Sequence, residues 1–155
     1  MSELQKIFLT SGLTIVGGAL VFVIQRFVLE PLNEHSKVLG RITFALYYHG
    51  REFANPMTKA SEDAEATKTY REASNRMREL AGLLAETSQS VRFYWICVLL
   101  RGVRRRKHID DAIGLLTRLS NSFFIDDPSM PMPGIRNGND ADAILKLLHL
   151  RKWGR

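Results

Sequence analysis

The first apolar stretch of the chain is long and carries no formal charge. It covers residues 7–25 and reads IFLTSGLTIVGGALVFVIQ. As a helix, these 19 residues would extend about 28 Å, close to the roughly 30 Å hydrocarbon thickness of a bilayer. A cleaved export peptide would have a shorter apolar region followed by a small-residue cleavage site, whereas residues 25–31 read QRFVLEP and offer no such site. The pattern therefore predicts a retained membrane-spanning helix.

Apolar positions at helical spacing continue beyond this span. They predict an amphipathic helix that extends the span to about residue 55. Pro31 interrupts the path, because proline donates no backbone hydrogen bond and crowds the preceding helical turn. We therefore expect a kink at Pro31 and a hinge near the membrane surface. The apolar positions of the extension are Leu32, Leu39, Ile42, Leu46 and Phe53.

A second helix is predicted to begin near Ser61, whose hydroxyl can cap it ahead of an acidic first turn. It should end at the polar segment ETSQS, residues 86–90, which breaks the apolar periodicity. The following segment, VRFYWICVLL, is apolar nearly all round but too short to span a bilayer, so we expect it to form the buried centre of the domain. The apolar face of the second helix consists of Ala66, Tyr70, Ala73, Met77, Leu80 and Leu84.

Two more helices follow. One should begin at His108, after Gly102 ends the buried segment, and the last should begin at Asn139, after a proline-rich and glycine-rich loop over residues 126–139. Their apolar faces consist of Ile109, Ala112, Leu116, Leu119 and Phe123, and of Ile144, Leu147 and Leu148. The whole pattern predicts an all-α protein with a transmembrane anchor in residues 1–30. Residues 31–155 should form one helical bundle of about four to five helices.

The charge distribution predicts on which side of the membrane the bundle lies. Basic and acidic residues cancel within residues 1–30, so the net charge of +6 lies on the rest of the chain. Cationic residues after a span favour the cytoplasmic side. The single cysteine, Cys97, cannot form an internal disulfide and fits a reducing compartment. We therefore expect the N-terminus outside and the bundle in the cytoplasm. The cations after the span include Arg26, Lys37, Arg41 and Arg51.

Small and polar residues follow one face of the predicted span. Thr10, Thr14 and Gly18 stand four residues apart, an arrangement that lets two helix backbones approach closely. Gln25 lies near the same face two turns on, and a glutamine amide in lipid needs a partner. These residues predict that the span associates with copies of itself and, in a ring, could line a pore. The alternative is that they are ordinary residues of a span and that Gln25 reaches the head groups.

A run of cations precedes the helix at His108. RGVRRRKH places Arg101, Arg104, Arg105, Arg106 and Lys107 within eight residues. Arginine suits phosphate because its planar fork makes paired hydrogen bonds. The run therefore predicts a site for RNA, a phosphate-bearing nucleotide messenger or an anionic lipid head group. The alternative is a solvated surface that follows the cytoplasmic charge bias.

Motifs of catalysis and metal binding are missing from the sequence. It contains no phosphate-binding glycine loop, no His-Glu-x-x-His pair, no Gly-x-Ser-x-Gly turn and no cysteine pair. The four histidines are scattered along the chain, and the neighbours of the single cysteine are apolar. The sequence therefore predicts a protein that is not an enzyme, with no catalytic residue, no metal site and no cofactor.

Residues 32–56 read LNEHSKVLGRITFALYYHGREFANP, residues 104–122 read RRRKHIDDAIGLLTRLSNS, and residues 140–150 read DADAILKLLHL. With these segments the chain resembles a widespread set of small bacterial proteins that have one N-terminal span and a compact helical cytoplasmic domain. Its layout is also similar to the membrane accessory proteins of type VI-B CRISPR systems. Those proteins have a HEPN-like helical domain, assemble into a ring-shaped membrane pore and strengthen antiphage defence.

The resemblance implies a location in the bacterial inner membrane, homo-oligomers, and a CRISPR effector as a partner. It does not imply ribonuclease activity, because no histidine of this chain has the arginine five residues earlier that HEPN ribonucleases carry. The leading hypothesis is an oligomeric inner-membrane protein that forms a pore or perturbs the membrane in antiphage defence. The alternative is a membrane-anchored receptor that binds RNA or a nucleotide messenger through the basic run, a role similar to that of membrane effectors that bind cyclic oligoadenylate.

Overall fold

The fold is all-α, as the sequence predicts. A computed structural model describes residues 3–58, 63–91, 98, 103–125 and 133–150. Its two strands are only two residues long and pair in parallel, Met57 with Phe124 and Thr58 with Ile125. In chain order the elements are α1 (Glu3–Ile24), a π-helical turn (Gln25–Leu29), α2 (Glu30–Tyr48), α3 (Gly50–Ala54), β1 (Met57–Thr58), α4 (Ala64–Ser90), α5 (Arg106–Asn121), β2 (Phe124–Ile125) and α6 (Pro133–Leu147).

The N-terminal part of the chain is one helical rod from Glu3 to Tyr48, made of α1, the π-helical turn and α2. Near the N-terminus the rod is long and apolar enough to cross a membrane, with a mean hydropathy of 1.9 in its most apolar window. No residue of that window is buried in the protein. The helical path then breaks at His49 and continues through α3 to Ala54, close to the predicted end at residue 55.

The core of the bundle lies between α2, α4 and α5, and α6 packs on α5 and α3. The predicted apolar faces supply it, and each large side chain buried there contributes roughly 1.5–3 kcal/mol. Leu32, Leu39 and Tyr70 are only half-buried and pack at its edge. Among the described residues, the apolar side chains with no exposed surface are Ile42, Ala73, Met77, Leu80, Leu84, Ile109, Ala112, Leu116, Leu119, Phe123 and Ile144.

Helix α4 begins at Ala64, later than the sequence predicts. Its cap is Asp63, whose carboxylate accepts the backbone N–H groups of Glu65 and Ala66 at 3.1 and 3.0 Å. The prediction of a start near Ser61 is therefore wrong, and Ser61 itself lies outside the described residues. An aspartate caps a helix as well as serine does and adds a negative charge at the positive end of the helix dipole.

Helix α4 also continues to Ser90, through the polar segment that was predicted to end it. The hydroxyl of Thr87 donates to the carbonyl of Leu83 at 2.8 Å, and that of Ser88 donates to Ala85, also at 2.8 Å. Hydroxyls that bond back to the preceding turn can remain inside a helix. The polar segment therefore forms the last turn of α4, and the helix ends at its final residue, Ser90.

Helix α5 begins at Arg106, two residues before the predicted start at His108. Most of the segment that was expected to form the buried centre of the domain, residues 91–100, lies outside the described residues. Val91 at its edge is buried, and so is Val103 just before α5. The end of α4 and the beginning of α5 are therefore both fixed to the core.

Helix α6 begins at Pro133, well before the predicted start at Asn139. Proline suits the first helical turn, where its missing N–H is not needed. Gly134 lies against the backbone of α3, and the amide of the fully buried Asn137 donates to the carbonyl of Phe53 in α3 at 2.9 Å. Contacts with a distant helix therefore make this part of the expected loop helical.

A bidentate ion pair ties α6 to α5. Arg118 Nε donates to Asp140 Oδ2 at 2.7 Å, and its Nη2 donates to the other carboxylate oxygen. The hydrogen bond to Asp140 raises the pKa of Arg118, and the Asp140 side chain is almost fully buried. A buried carboxylate needs such a partner, so this pair fixes α6 in position.

Replacing Gly134 with alanine should destabilise the fold. A Cβ there would overlap the carbonyl oxygen of Ala54 and lie 2.9 Å from its carbonyl carbon, so α6 must move away from α3 at a cost of about 2–3 kcal/mol. Gly138→Ala is the matched control in the same helix, because no atom lies within 4 Å of its Cβ position, and it should stabilise by roughly 0.5–1 kcal/mol. Chemical denaturation of both variants measures the difference, and equal stabilities would contradict the packing described.

A second polar pair, between α2 and α3, is buried without hydrogen bonds. His49 Nδ1 lies 3.9 Å from Glu52 Oε2, and neither atom has a partner among the described residues. Burial lowers the pKa of His49, and Arg76 lowers it further, whereas Glu52 and Glu72 oppose the shift. The net direction is downward, so the folded protein holds this imidazole neutral at pH 7.

The free energy of unfolding should therefore decrease in mild acid. It is unaffected by His49 above the unfolded-state pKa of about 6.5. As the pH falls from there through the lower folded-state pKa, the unfolded chain takes up the proton first and stability is lost. His49→Gln should reduce this loss and leave the part that buried His35 contributes, since burial lowers the pKa of His35 as well. His149→Asn, at an exposed position with φ of 54°, should retain the full loss. Denaturation curves at several pH values test this, and a His49→Gln protein with the wild-type pH dependence would contradict it.

Candidate functional site

The surface of α1 is largely apolar, and no other described part of the chain covers it. Phe8 is 76% exposed and Leu13 is 72% exposed, and large apolar side chains remain exposed along the helix as far as Ile24. Single exposed apolar residues are ordinary on a protein surface, but a contiguous apolar surface of this extent marks an interaction site. The rod therefore presents a surface made for lipid or for another apolar helix.

The predicted small-residue face lies on this surface. Thr10, Thr14 and Gly18 are successive positions of one face of α1, and the hydroxyl of Thr14 donates to the carbonyl of Thr10 at 2.9 Å. No atom lies within 4 Å of a Cβ placed at Gly18. The Thr14 hydroxyl is thus satisfied within its own helix, and the face offers close approach rather than a free donor.

Gln25 is the first residue of the π-helical turn. Its side chain is exposed and forms no hydrogen bond with any described residue. It lies at the boundary between the apolar helix and the charged residues that follow, beginning with Arg26. An amide at the apolar edge of a span is a donor and an acceptor that only water, lipid or a second chain can satisfy.

The π-helical turn is a feature that the sequence did not reveal. Within it, the backbone N–H of Glu30 bonds to the carbonyl of Gln25, five residues earlier. Pro31 follows directly and has no N–H to continue the ladder. Such turns are rare and occur often at functional positions. Pro31 was the available signal, and it predicted an interruption here; whether the turn acts as a hinge remains a prediction.

A groove follows one side of the rod around this turn, and charged residues line it. Arg26 pairs with Glu30 at 2.6 Å, and Lys37 pairs with Glu34 at 2.7 Å. All of the lining residues belong to the same rod, so the groove has a single wall and is open to solvent. Exposed pairs of this kind contribute little to stability, because water and salt screen them. They neutralise the rod just outside the span and do not form a ligand pocket.

The basic run lies at the start of α5. Arg105 is the residue before the first turn, and its side chain makes no capping hydrogen bond. Arg105, Arg106 and Lys107 are exposed, and Arg104 is half-buried. Arg101 lies outside the described residues. Four of the five predicted cations are therefore consecutive at one end of the bundle.

The described residues contain no group of three or more His, Cys, Asp or Glu side chains that could hold a metal ion. Among the histidines, His35 is buried and its Nδ1 lies 3.3 Å from the hydroxyl of Thr87. Comparison of the chain with protein-family models, with curated proteins and with solved structures finds no match. The resemblance to CRISPR accessory proteins and the absence of enzymatic activity thus stay predictions, and the functional argument rests on the span and the basic run.

Replacing Pro31 with alanine should make the rod continuous and stiffer. The alanine N–H can join the helical ladder, and proline within a helix costs about 3 kcal/mol, so backbone amides around the π-helical turn should exchange at least about tenfold more slowly. Hydrogen exchange followed by mass spectrometry, with the protein in lipid nanodiscs, measures this. Asn33→Ala on the same rod changes no backbone donor and should leave exchange as in the wild type. Identical exchange in Pro31→Ala and wild type would exclude a hinge at this position.

Proposed function

We propose that this protein is a membrane protein that associates with copies of itself through its N-terminal helix. The observation that carries the proposal is the apolar surface of α1, which no other part of the described chain covers. Lipid can cover such a surface on all sides, and copies of the helix can cover part of it. The small-residue face supports the further step, because close contact between spans depends on residues without bulky side chains.

Gln25 adds a polar contact to this association. Copies that pack through the face of Gly18 bring their Gln25 side chains to the same depth, where each amide can donate to the other. Polar pairs of this kind contribute about 0.6–2 kcal/mol per contact between membrane helices. The contact lies next to the π-helical turn, so association and the geometry of the rod are coupled at this point.

The proposed location is the bacterial inner membrane with the N-terminus outside and the bundle in the cytoplasm. The cations after the span support this orientation through the excess of Lys and Arg on cytoplasmic sides. The resemblance extends the proposal to a ring of spans that opens a pore, or otherwise perturbs the membrane, in antiphage defence. In such a ring, the face with the polar and small residues would point toward the pore or toward the neighbouring helix.

Gly18→Leu should weaken self-association. A leucine side chain fills the space that allows close approach, and the loss of one such contact corresponds to roughly tenfold weaker association. Gly17→Leu is the matched control, because Gly17 also has no atom within 4 Å but lies on another side of the helix. Energy transfer between labelled copies at increasing protein-to-lipid ratio measures the association of both variants.

The same pair of variants also tests the pore. Dye leakage from cells that express the wild type and Gly17→Leu, without leakage for Gly18→Leu at equal membrane levels, is the expected result. A wild-type protein that remains monomeric at every protein-to-lipid ratio would refute self-association. Leakage that is equal in all three proteins would refute the pore.

A further inference from the structure

Hydrogen bonds between helices fix the direction of α4 relative to the rod. His35 near the start of α2 contacts Thr87 near the end of α4, whereas the hydroxyl of Tyr70 near the start of α4 donates to the carbonyl of Asn55 at 2.6 Å. The two helices are therefore antiparallel. The end of α4, at Ser90, lies on the side of the bundle where the rod leaves the span.

Helix α5 begins on the same side of the bundle and runs away from the span. Ser74 in the first half of α4 donates to the carbonyl of Ser120 at 2.7 Å, and Arg78 donates to the side chain of Asn121 at 3.0 Å. These contacts join the end of α5 to the part of α4 that is remote from the span. Since α5 packs along α4, its first residues, from Arg106, lie beside the end of α4 near the span.

The helical rise gives the distance of these residues from the membrane. At 1.5 Å per residue, His35 lies about 15 Å beyond Gln25 along the rod. The register of α5 on α4, through Ser74 and Ser120, places Arg106 about 13 Å beyond the level of Gln25. The head-group layer extends about 5–8 Å beyond the hydrocarbon, and the field of an anionic surface decays over about 8 Å. The long side chains at the start of α5 can therefore reach this layer.

The cations at the start of α5 have no acidic partner among the residues that the structure describes. Arg105, Arg106 and Lys107, here called the basic end, form no ion pair and no side-chain hydrogen bond with any described residue. Asp110 and Asp111 follow in α5 about one turn farther from the span. By contrast, the cations of the rod nearest the span are already paired with glutamates. Three consecutive cations without an ion pair among the described residues therefore lie on the side of the bundle where the rod leaves the span.

We propose that the basic end docks on anionic lipid head groups of the membrane that the span crosses, which rests on the proposed membrane insertion. The partner is lipid phosphate rather than RNA, because the register of the helices places the basic end within side-chain reach of the head-group layer. Docking fixes the tilt of the bundle relative to the span and is strengthened by each cation. Loss of all three cations should lower the ratio of docked to undocked bundles on the order of 100-fold at low salt.

A probe at the end of α4 tests the docking. The full chain, with Cys97→Ser and a fluorophore on Ser90→Cys, is placed in nanodiscs of phosphatidylcholine, with or without phosphatidylglycerol, that carry a head-group quencher. Quenching should be stronger with phosphatidylglycerol and should decrease with added salt. R105Q/R106Q/K107Q should abolish the dependence on phosphatidylglycerol, and a fluorophore at Asn75→Cys, remote from the span, should show none.

The matched control removes the same charge elsewhere. Lys68, Arg71 and Arg136 are exposed at the end of the bundle remote from the span, so K68Q/R71Q/R136Q should quench as the wild type does. Circular dichroism confirms that both triple variants are folded. Equal effects of the two triple variants, or quenching that is independent of lipid charge, would overturn the docking.

Two further outcomes are decisive. If R105Q/R106Q/K107Q loses binding to polyuridylate while its quenching matches the wild type, the partner of the basic end is nucleic acid and the lipid proposal is wrong. If the protein fails to resist carbonate extraction from membranes, the span itself is wrong and both proposals fall. An inserted protein whose quenching ignores lipid charge contradicts the docking alone.

Discussion

The uncovered apolar helix at the N-terminus constrains everything else in this molecule. Ten large apolar side chains between Phe8 and Leu29 are exposed, and at roughly 1.5–3 kcal/mol each their exposure to water would cost on the order of 20 kcal/mol. A domain is stable by only about 5–15 kcal/mol. Contact with any available apolar partner, whether lipid or a second copy, would therefore lower the free energy of a water-exposed rod. The small-residue face then decides how closely a second copy can approach.

Because α1, the π-helical turn and α2 form one rod, the candidate span and the bundle are mechanically joined. The α2 half of the rod supplies buried side chains such as Ile42 and Leu46 to the bundle core, so the bundle cannot rotate independently of α2. The predicted hinge between span and bundle lies at the π-helical turn, where Pro31 leaves the ladder incomplete. The antiparallel order of α2, α4 and α5 then brings the basic end to the side of the bundle where the rod leaves the candidate span. The position of that charge is a consequence of helix register rather than of local sequence.

The apolar faces were predictable because burial and helical periodicity coincide, as at Met77 and Leu116. Helix ends were less predictable because local signals compete: Ser61 and Asp63 can both cap, and only one begins the helix. The start of α6 depends on the fit of Gly134 and Asn137 against α3, which no local pattern records. The residues of the small face and the basic run could be read from the sequence. The positions of these residues in the fold could not be read from the sequence, because they depend on contacts between distant helices, such as that of His35 with Thr87.

The two proposed surfaces are energetically coupled. Copies that pack through their spans bring their basic ends to the same depth, where like charges closer than a Debye length repel one another. Anionic head groups between the copies would neutralise this repulsion, so the lipid that docks each bundle also favours the assembly. Added salt weakens the docking and the repulsion together, but it leaves the close apolar contact at Gly18 almost unchanged. Association through the span should therefore depend on lipid charge most strongly at low salt, where both electrostatic effects are largest.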